Sequence, residues 1–162
     1  MARLPLALRA VLATAIPLTV AGVGPWLLLD GLAPHVPVWR YAMLIPGGGG
    51  LALTLWAIVL FATHGRGTLA PVSPPTRFVA HGPYRFTRNP MYVGVTCWLL
   101  GLAVMTGAGV LLWYAGIVAV GFHLFVRFVE EPMLRRRFGE EYQAYTRRVP
   151  RWLGCRRGTH EA

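Results

Sequence analysis

The sequence contains few charged residues and no lysine. Only 14% of its 162 residues are charged, whereas about 25% are charged in an ordinary soluble domain. All sixteen basic residues are arginines, and with six acidic residues they give a net charge of +10. So little polar surface cannot cover a water-soluble core. The 55% hydrophobic share therefore predicts that apolar side chains face lipid.

The two cysteines are too few and too separate to indicate a disulfide framework. Cys97 lies in an apolar run and is predicted to be a small core residue, whereas Cys155 lies in the basic tail. The basic balance could indicate nucleic-acid binding. However, the arginines cluster beside apolar runs, which is typical of membrane-protein topology. We therefore predict neither a nucleic-acid partner nor a metal site.

Four apolar runs predict an all-α integral membrane bundle, with residues 1–162 forming one domain. About twenty helical residues span the bilayer core of roughly 30 Å. The predicted transmembrane spans are about 8–29, 41–63, 91–106 and 110–129. The polar segments 64–90 and 130–162 are then a loop and a tail. The tail predicts an amphipathic helix against the membrane or the protein; its apolar residues are Leu134, Phe138, Tyr142 and Tyr145.

A proline and four glycines fall near the start of the second run, at Pro46 and 47–50. Such residues favour a kink or local unwinding of a helix. Phosphate-binding loops of this kind need a following lysine, and none follows here. Close helix packing or a kink is therefore predicted at the glycines.

The arginine distribution predicts that both termini are cytoplasmic. With the N-terminus inside, the loop 64–90 and the tail lie on the same side as Arg3 and Arg9. Arg40 then lies alone on the outer side, which leaves fifteen of the sixteen basic residues inside. This bias follows the positive-inside rule, and an even number of spans agrees with it.

Two polar segments are expected to meet at the cytoplasmic face. The first is residues 81–94, HGPYRFTRNPMYVG, and the second begins at 127 with RFVEEPML. The short connection 106–109 makes the third and fourth spans antiparallel neighbours, which brings the segments together. Asn89 is a favourable N-cap for the third span, and Pro90 is a favourable first helical residue.

The groups in these segments match a ligand with a carboxylate, an ammonium, a sulfonium and an adenosine, as in S-adenosylmethionine. A helix N-terminus with Arg85 and Arg88 suits the carboxylate. Glu130 and Glu131 suit the cationic groups or ribose hydroxyls. Helix capping, lipid anchoring or a solvated helix end would also explain these residues. His123, inside a span, is either functional or a partner in an interhelical hydrogen bond.

The same segments resemble the signature of the isoprenylcysteine carboxyl methyltransferase family, which belongs with the phospholipid N-methyltransferase-like membrane enzymes. The resemblance covers roughly residues 64–152, and Leu69 departs from it where a proline is expected. The matching stretches are GRGTLAP at 65–71, PP at 74–75, GPYR at 82–85, RNPMYVG at 88–94, EExxL at 130–134, FGEEY at 138–142, Tyr145 and VP at 149–150.

The resemblance implies an S-adenosylmethionine-dependent methyltransferase with a lipophilic acceptor that enters from the membrane. The acceptor would be the carboxylate of an isoprenylcysteine-like substrate or a lipid headgroup. By position, the implied cofactor-binding residues are His81, Gly82, Tyr84, Arg88, Pro90, Tyr92, Glu130 and Glu131. The implied catalytic residues are Arg88, Tyr92 and Arg127.

Two non-enzymatic functions stay open at this point. A non-catalytic membrane subunit or transporter element would carry ionisable residues inside its spans, where Arg9 and His123 are almost the only ones. The chain could also be a basic adaptor that binds anionic lipid through its tail. That function would not explain the ordered segment 81–94. Binding of S-adenosylmethionine would distinguish the enzyme from both alternatives.

Overall fold

The computed structural model describes residues 19–29, 36–64 and 79–153, and every regular element in these ranges is helical. The α-helices are α1 (Gly24–Leu29), α2 (Leu44–His64), α3 (Pro90–Thr106), α4 (Gly109–Phe125) and α5 (Glu131–Arg148). The shorter elements are π-helical turns at Thr19–Val23 and Val126–Glu130 and 3₁₀ helices at Val38–Met43 and Gly82–Arg85. The all-α class is thus confirmed for the described residues.

Two helical stretches are long and apolar enough, by length and composition, to cross a membrane: Val38–Leu60 and Gly109–Arg148. Two further apolar helices, Thr19–Leu29 and Pro90–Thr106, are shorter. Parts of the predicted first span, loop and tail lie outside the described residues, and so do Arg3, Arg9 and Cys155.

A row of large apolar side chains is exposed along one side of α4 and the turn after it. Its members are Trp113, Ile117, Val120, Leu124 and Phe128, all exposed, with Trp113 at 78%. Residues three or four apart lie on the same face of a helix, so they form one continuous stripe. An exposed apolar surface of this kind indicates contact with a membrane or a partner.

Helices α2 and α3 cross at glycines. A Cβ atom on Gly50 would lie 2.6 Å from the carbonyl oxygen of Gly94, so neither position leaves room for a side chain. The Thr54 hydroxyl lies at the same crossing and donates to the carbonyl of Gly50 at 3.0 Å and that of Met91 at 3.3 Å. Since α2 is one helix from Leu44 onward, the glycines serve close packing.

A two-residue connection makes α3 and α4 an antiparallel hairpin. Gly107 ends α3 with a φ of +69°, a conformation that glycine adopts readily. The Arg40 guanidinium packs against Gly107, so Arg40 lies at this end of the bundle. The other described arginines fall in segments 79–90 and 126–153, which meet at the opposite end.

Helix α5 is broken near its middle rather than being the single helix that its apolar spacing predicted. Gly139 has a φ of +49° and a ψ of −120°, outside the helical region. Beyond this break, Tyr142, Tyr145 and Val149 are buried together. Leu134 and Phe138, from before the break, pack against this cluster. The apolar side of the tail is therefore largely covered by protein.

Replacing Gly94 by alanine should destabilise the protein by about 1–3 kcal/mol, because the new methyl group would overlap α2 backbone. Gly48 is the matched control, since a Cβ there meets nothing within 4 Å. Gly48→Ala should be neutral or slightly stabilising through helix propensity. Thermal unfolding in detergent would compare them, and equal melting temperatures would contradict the close crossing.

Candidate functional site

The carboxylate of Glu131 is buried and shared between two arginines. It is 4% exposed. Its Oε1 accepts from Arg88 Nη1 at 2.9 Å and from Arg151 Nε at 2.7 Å, and its Oε2 accepts from Arg151 Nη2 at 2.9 Å. An exposed third arginine, Arg135, lies 3.7 Å away. Burial would raise the pKa of Glu131, but the Arg151 hydrogen bonds and the arginine charges lower it.

Residues 149–152, which we call the tail strap, close over the start of α3. The carbonyl oxygen of Arg151 accepts two hydrogen bonds from that region. One comes from the Thr87 hydroxyl at 3.1 Å and the other from Asn89 Nδ2 at 2.9 Å. Arg151 is therefore held through its backbone while its side chain holds Glu131.

The tail strap is also hydrogen-bonded to the segment before α3 and to α4. The backbone N–H of Arg88 donates to the carbonyl of Pro150 at 3.0 Å. Trp152 Nε1 donates to His123 Nδ1 at 3.2 Å, and the two rings stack with centroids 6.1 Å apart. The polar histidine in α4 is thus hydrogen-bonded, but its partner belongs to the tail strap and not to a second helix.

Glu130 has a different environment from its neighbour. Its Oε2 accepts a 3.1 Å hydrogen bond from the Tyr92 hydroxyl. Among the residues that the structure describes, no arginine or histidine forms an ion pair with it. Burial and, to a smaller extent, the charge of Glu131 raise the pKa of Glu130, the hydrogen bond from Tyr92 lowers it, and the net result is a pKa of about 7. Glu130 can therefore exchange a proton near neutral pH.

Tyr92 and Tyr84 are buried aromatic residues in this part of the molecule. The Tyr92 ring lies against Phe122, with centroids 4.6 Å apart. The Tyr84 carbonyl accepts a 2.7 Å hydrogen bond from the Tyr145 hydroxyl, which connects α5 to the turn before α3. Burial raises the pKa of the Tyr84 and Tyr145 phenols, so both stay protonated at physiological pH.

Arg88 keeps one buried donor without a partner. Its side chain is 9% exposed, and Nη1 donates to Glu131 and, at 3.5 Å, to the Tyr142 hydroxyl. Among the residues that the structure describes, none accepts a hydrogen bond from its Nε. A buried unpaired donor costs about 1–3 kcal/mol, so such a group suggests a missing acceptor. A ligand carboxylate would supply one.

The structure brings five of the residues implied by the family resemblance into this region: Tyr84, Arg88, Tyr92, Glu130 and Glu131. Two others have structural positions near the site. Pro90 is fully buried as the first residue of α3, and Gly82, with a φ of +61°, packs closely on Leu60 of α2.

His81 and Arg127 lie outside this buried group. Both side chains are exposed. The Arg127 guanidinium lies 5.7 Å from the ring centroid of Phe128 instead of facing the glutamates. Their roles in cofactor binding and catalysis stay predictions.

Asn89 occupies the predicted N-cap position and Pro90 is the first residue of α3, but the predicted capping hydrogen bond is wrong. The Asn89 side chain makes no capping hydrogen bond. It donates to the Arg151 carbonyl instead, because the tail strap presents an acceptor there. The sequence reasoning also missed Thr87 and Arg151. Glu131 was the signal that could have pointed to Arg151, since a buried carboxylate needs cationic partners.

The described residues thus form apolar helices with a buried polar cluster at one end, and two of the helical stretches could cross a membrane by length and composition. The model of the phospholipid methyltransferase family matches residues 50–141, more than half of the chain. The chain therefore belongs to the phospholipid methyltransferase family, a family of membrane methyltransferases that act on lipids. No curated protein and no solved structure gives a significant match. The tail strap lies outside the matched range.

An Asn89→Asp substitution distinguishes the two possible roles of this side chain. Aspartate is as good an N-cap as asparagine, and its charge would favour the helix N-terminus. It cannot donate to the Arg151 carbonyl, however, so we expect a loss of about 1–3 kcal/mol of stability. Thermal unfolding at pH 8 would measure it. A more stable Asn89→Asp protein would restore the capping role.

Proposed function

We propose that this protein uses S-adenosylmethionine to methylate an amine of a lipid headgroup at the cytoplasmic face of the membrane. Family membership supports methyl transfer to a lipid. The observation that carries the choice of acceptor is Glu130, a partly buried carboxylate that is held by Tyr92 and has no cationic partner among the described residues.

The residues of the site suit the cofactor. The unpaired Nε of Arg88 fits the cofactor's carboxylate, and Tyr92 offers an aromatic face that attracts cationic groups. Glu131 is fully engaged by arginines, so we assign it the role of orienting Arg88 rather than direct contact. When bound, S-adenosylmethionine supplies a methyl group that its sulfonium activates for transfer.

We assign Glu130 the role of the general base that removes a proton from the acceptor amine. An amine attacks carbon only through its free lone pair, so an ammonium headgroup has to lose a proton first. A base is most effective when its pKa lies near the working pH, and burial places the pKa of Glu130 at about 7. The Tyr92 hydroxyl orients this carboxylate from 3.1 Å. Glu131, whose pKa is lowered, is the weaker base.

The proposed membrane arrangement has four crossings, with both termini and the site on the cytoplasmic side. It is supported by the position of Arg40 beside Gly107, at the far end of the α3–α4 hairpin from the arginine-rich site. Positive charges favour the cytoplasmic side. Helix α5 would then lie at the membrane surface, where its exposed arginines reach lipid headgroups.

Glu130→Gln should lower the rate of headgroup methylation by at least about 100-fold, the usual contribution of a general base. The activity of the unchanged protein should rise with pH, with a midpoint near the Glu130 pKa of about 7, because the base must be deprotonated. Glu140→Gln, an exposed glutamate on α5, is the control and should behave like the parent.

Calorimetry with S-adenosylmethionine completes this test. The Glu130→Gln protein should bind the cofactor with an affinity close to that of the parent. Parent-like methylation would refute the proton-transfer role. Loss of cofactor binding would instead assign Glu130 to the cofactor, as the family resemblance implied.

A further inference from the structure

A groove follows the junction between α4 and α5 on the exposed side of the molecule. It has a volume of about 520 Å³. It is lined by Phe128, Val129, Pro132, Met133, Arg136 and Arg137. These positions recur at intervals of about four residues, which places them along one side of the helical path. The half nearer α4 is apolar, and the half nearer the tail carries the two guanidinium groups.

The two arginines of the groove have no carboxylate partner among the described residues. Glu140 and Glu141 lie four residues after Arg136 and Arg137, a spacing that forms ion pairs on a regular helix. The structure shows neither pair. Gly139 lies between them, and its φ of +49° interrupts the helix. The positive charge of the groove is thus left available for an external anion.

The apolar half of the groove continues into the exposed stripe of α4. Phe128 belongs to both, and the stripe extends from it through Leu124 to Trp113. From Trp113 to Phe128 there are fifteen helical steps, or roughly 22 Å, which is comparable to an extended acyl chain. The Arg127 guanidinium, over the Phe128 ring, adds positive charge where the stripe meets the groove.

The groove is separate from the proposed methyl-transfer site. Glu131 is buried against Arg88 and the tail strap, whereas Met133, two residues later, lines the groove. Two residues correspond to a rotation of about 200° around a helix, so the two residues face opposite sides. Neither Glu130 nor Tyr92 is among the residues that line the groove.

We propose that this groove binds an anionic phospholipid, with the phosphodiester at Arg136 and Arg137 and an acyl chain along the α4 stripe. The positive charge of the two arginines favours an anionic lipid over a zwitterionic one. Two adjacent guanidinium groups attract a phosphate that carries net negative charge, and they repel the ammonium of a zwitterionic headgroup. The apolar stripe distinguishes a lipid from a free phosphate ion, which would use the arginines alone.

Native mass spectrometry of the full chain, released from detergent, would measure the binding of individual phosphatidylglycerol and phosphatidylcholine molecules. Phosphatidylglycerol has no amine and cannot be the proposed methyl acceptor. Arg136→Gln/Arg137→Gln should weaken phosphatidylglycerol binding about 30-fold, if each arginine contributes about 1 kcal/mol. Arg147→Gln/Arg148→Gln removes the same charge from exposed positions elsewhere on α5 and should retain parent-like affinity.

Three results would overturn the proposal. They are equal losses in the two double variants, equal parent affinity for the two lipids, and equally tight binding of glycerophosphoglycerol, which has the headgroup without acyl chains. The unchanged protein gives an independent test, because its preference for phosphatidylglycerol should shrink as salt is raised. Methylation of added phosphatidylethanolamine by the Arg136→Gln/Arg137→Gln protein in phosphatidylcholine nanodiscs should stay at the parent rate, so this test does not depend on the proposed catalysis.

Discussion

The ion pairs of the buried Glu131 carboxylate organise the whole site. A carboxylate that is 4% exposed is strongly unfavourable unless cations and hydrogen bonds compensate it. Arg88 comes from the segment before α3, and Arg151 comes from the tail strap. Satisfying this one charge therefore requires the tail to return to the start of α3. The hydrogen bonds of Thr87 and Asn89 to the Arg151 carbonyl stabilise the same closure.

Two adjacent glutamates acquire different chemistry from this arrangement. Glu131 faces arginines, which keep it charged, and Glu130 faces a tyrosine in a buried environment, which raises its pKa to about 7. Pairs of carboxyl groups with separated pKa values are a common way to assign different roles to one residue type. In our proposal, Glu131 fixes an arginine for the cofactor and Glu130 takes a proton from the acceptor.

Much of this could be predicted from the sequence because local patterns carry it. The apolar runs gave the helices, and the short 106–109 connection gave the hairpin that brings Arg88 and Tyr92 to the two glutamates. The four glycines indicated the close helix crossing, which the contact of Gly50 with Gly94 confirms. The family resemblance agrees with the phospholipid methyltransferase match.

The remaining features depend on contacts that no local pattern specifies. Arg151 pairs with a residue twenty positions away, and nothing near it in sequence marks that partner. Asn89 is a good N-cap by type, but a carbonyl from the distant tail strap determined its hydrogen bond. Arg127 follows the signature by position, yet its side chain lies over Phe128. The break at Gly139 also overrides an apolar spacing that predicted one continuous helix.

The central role of Glu131 is tested most directly by a double-mutant cycle between Glu131→Gln and Arg151→Gln, using free energies of unfolding in mixed micelles. The account predicts a coupling energy of about 1.5–3 kcal/mol, as expected for charged hydrogen bonds away from solvent. The cycle with the exposed Arg135 provides the comparison and should give at most about 1 kcal/mol. Additive effects of Glu131→Gln and Arg151→Gln would contradict the account, because the tail strap would then be held by other contacts.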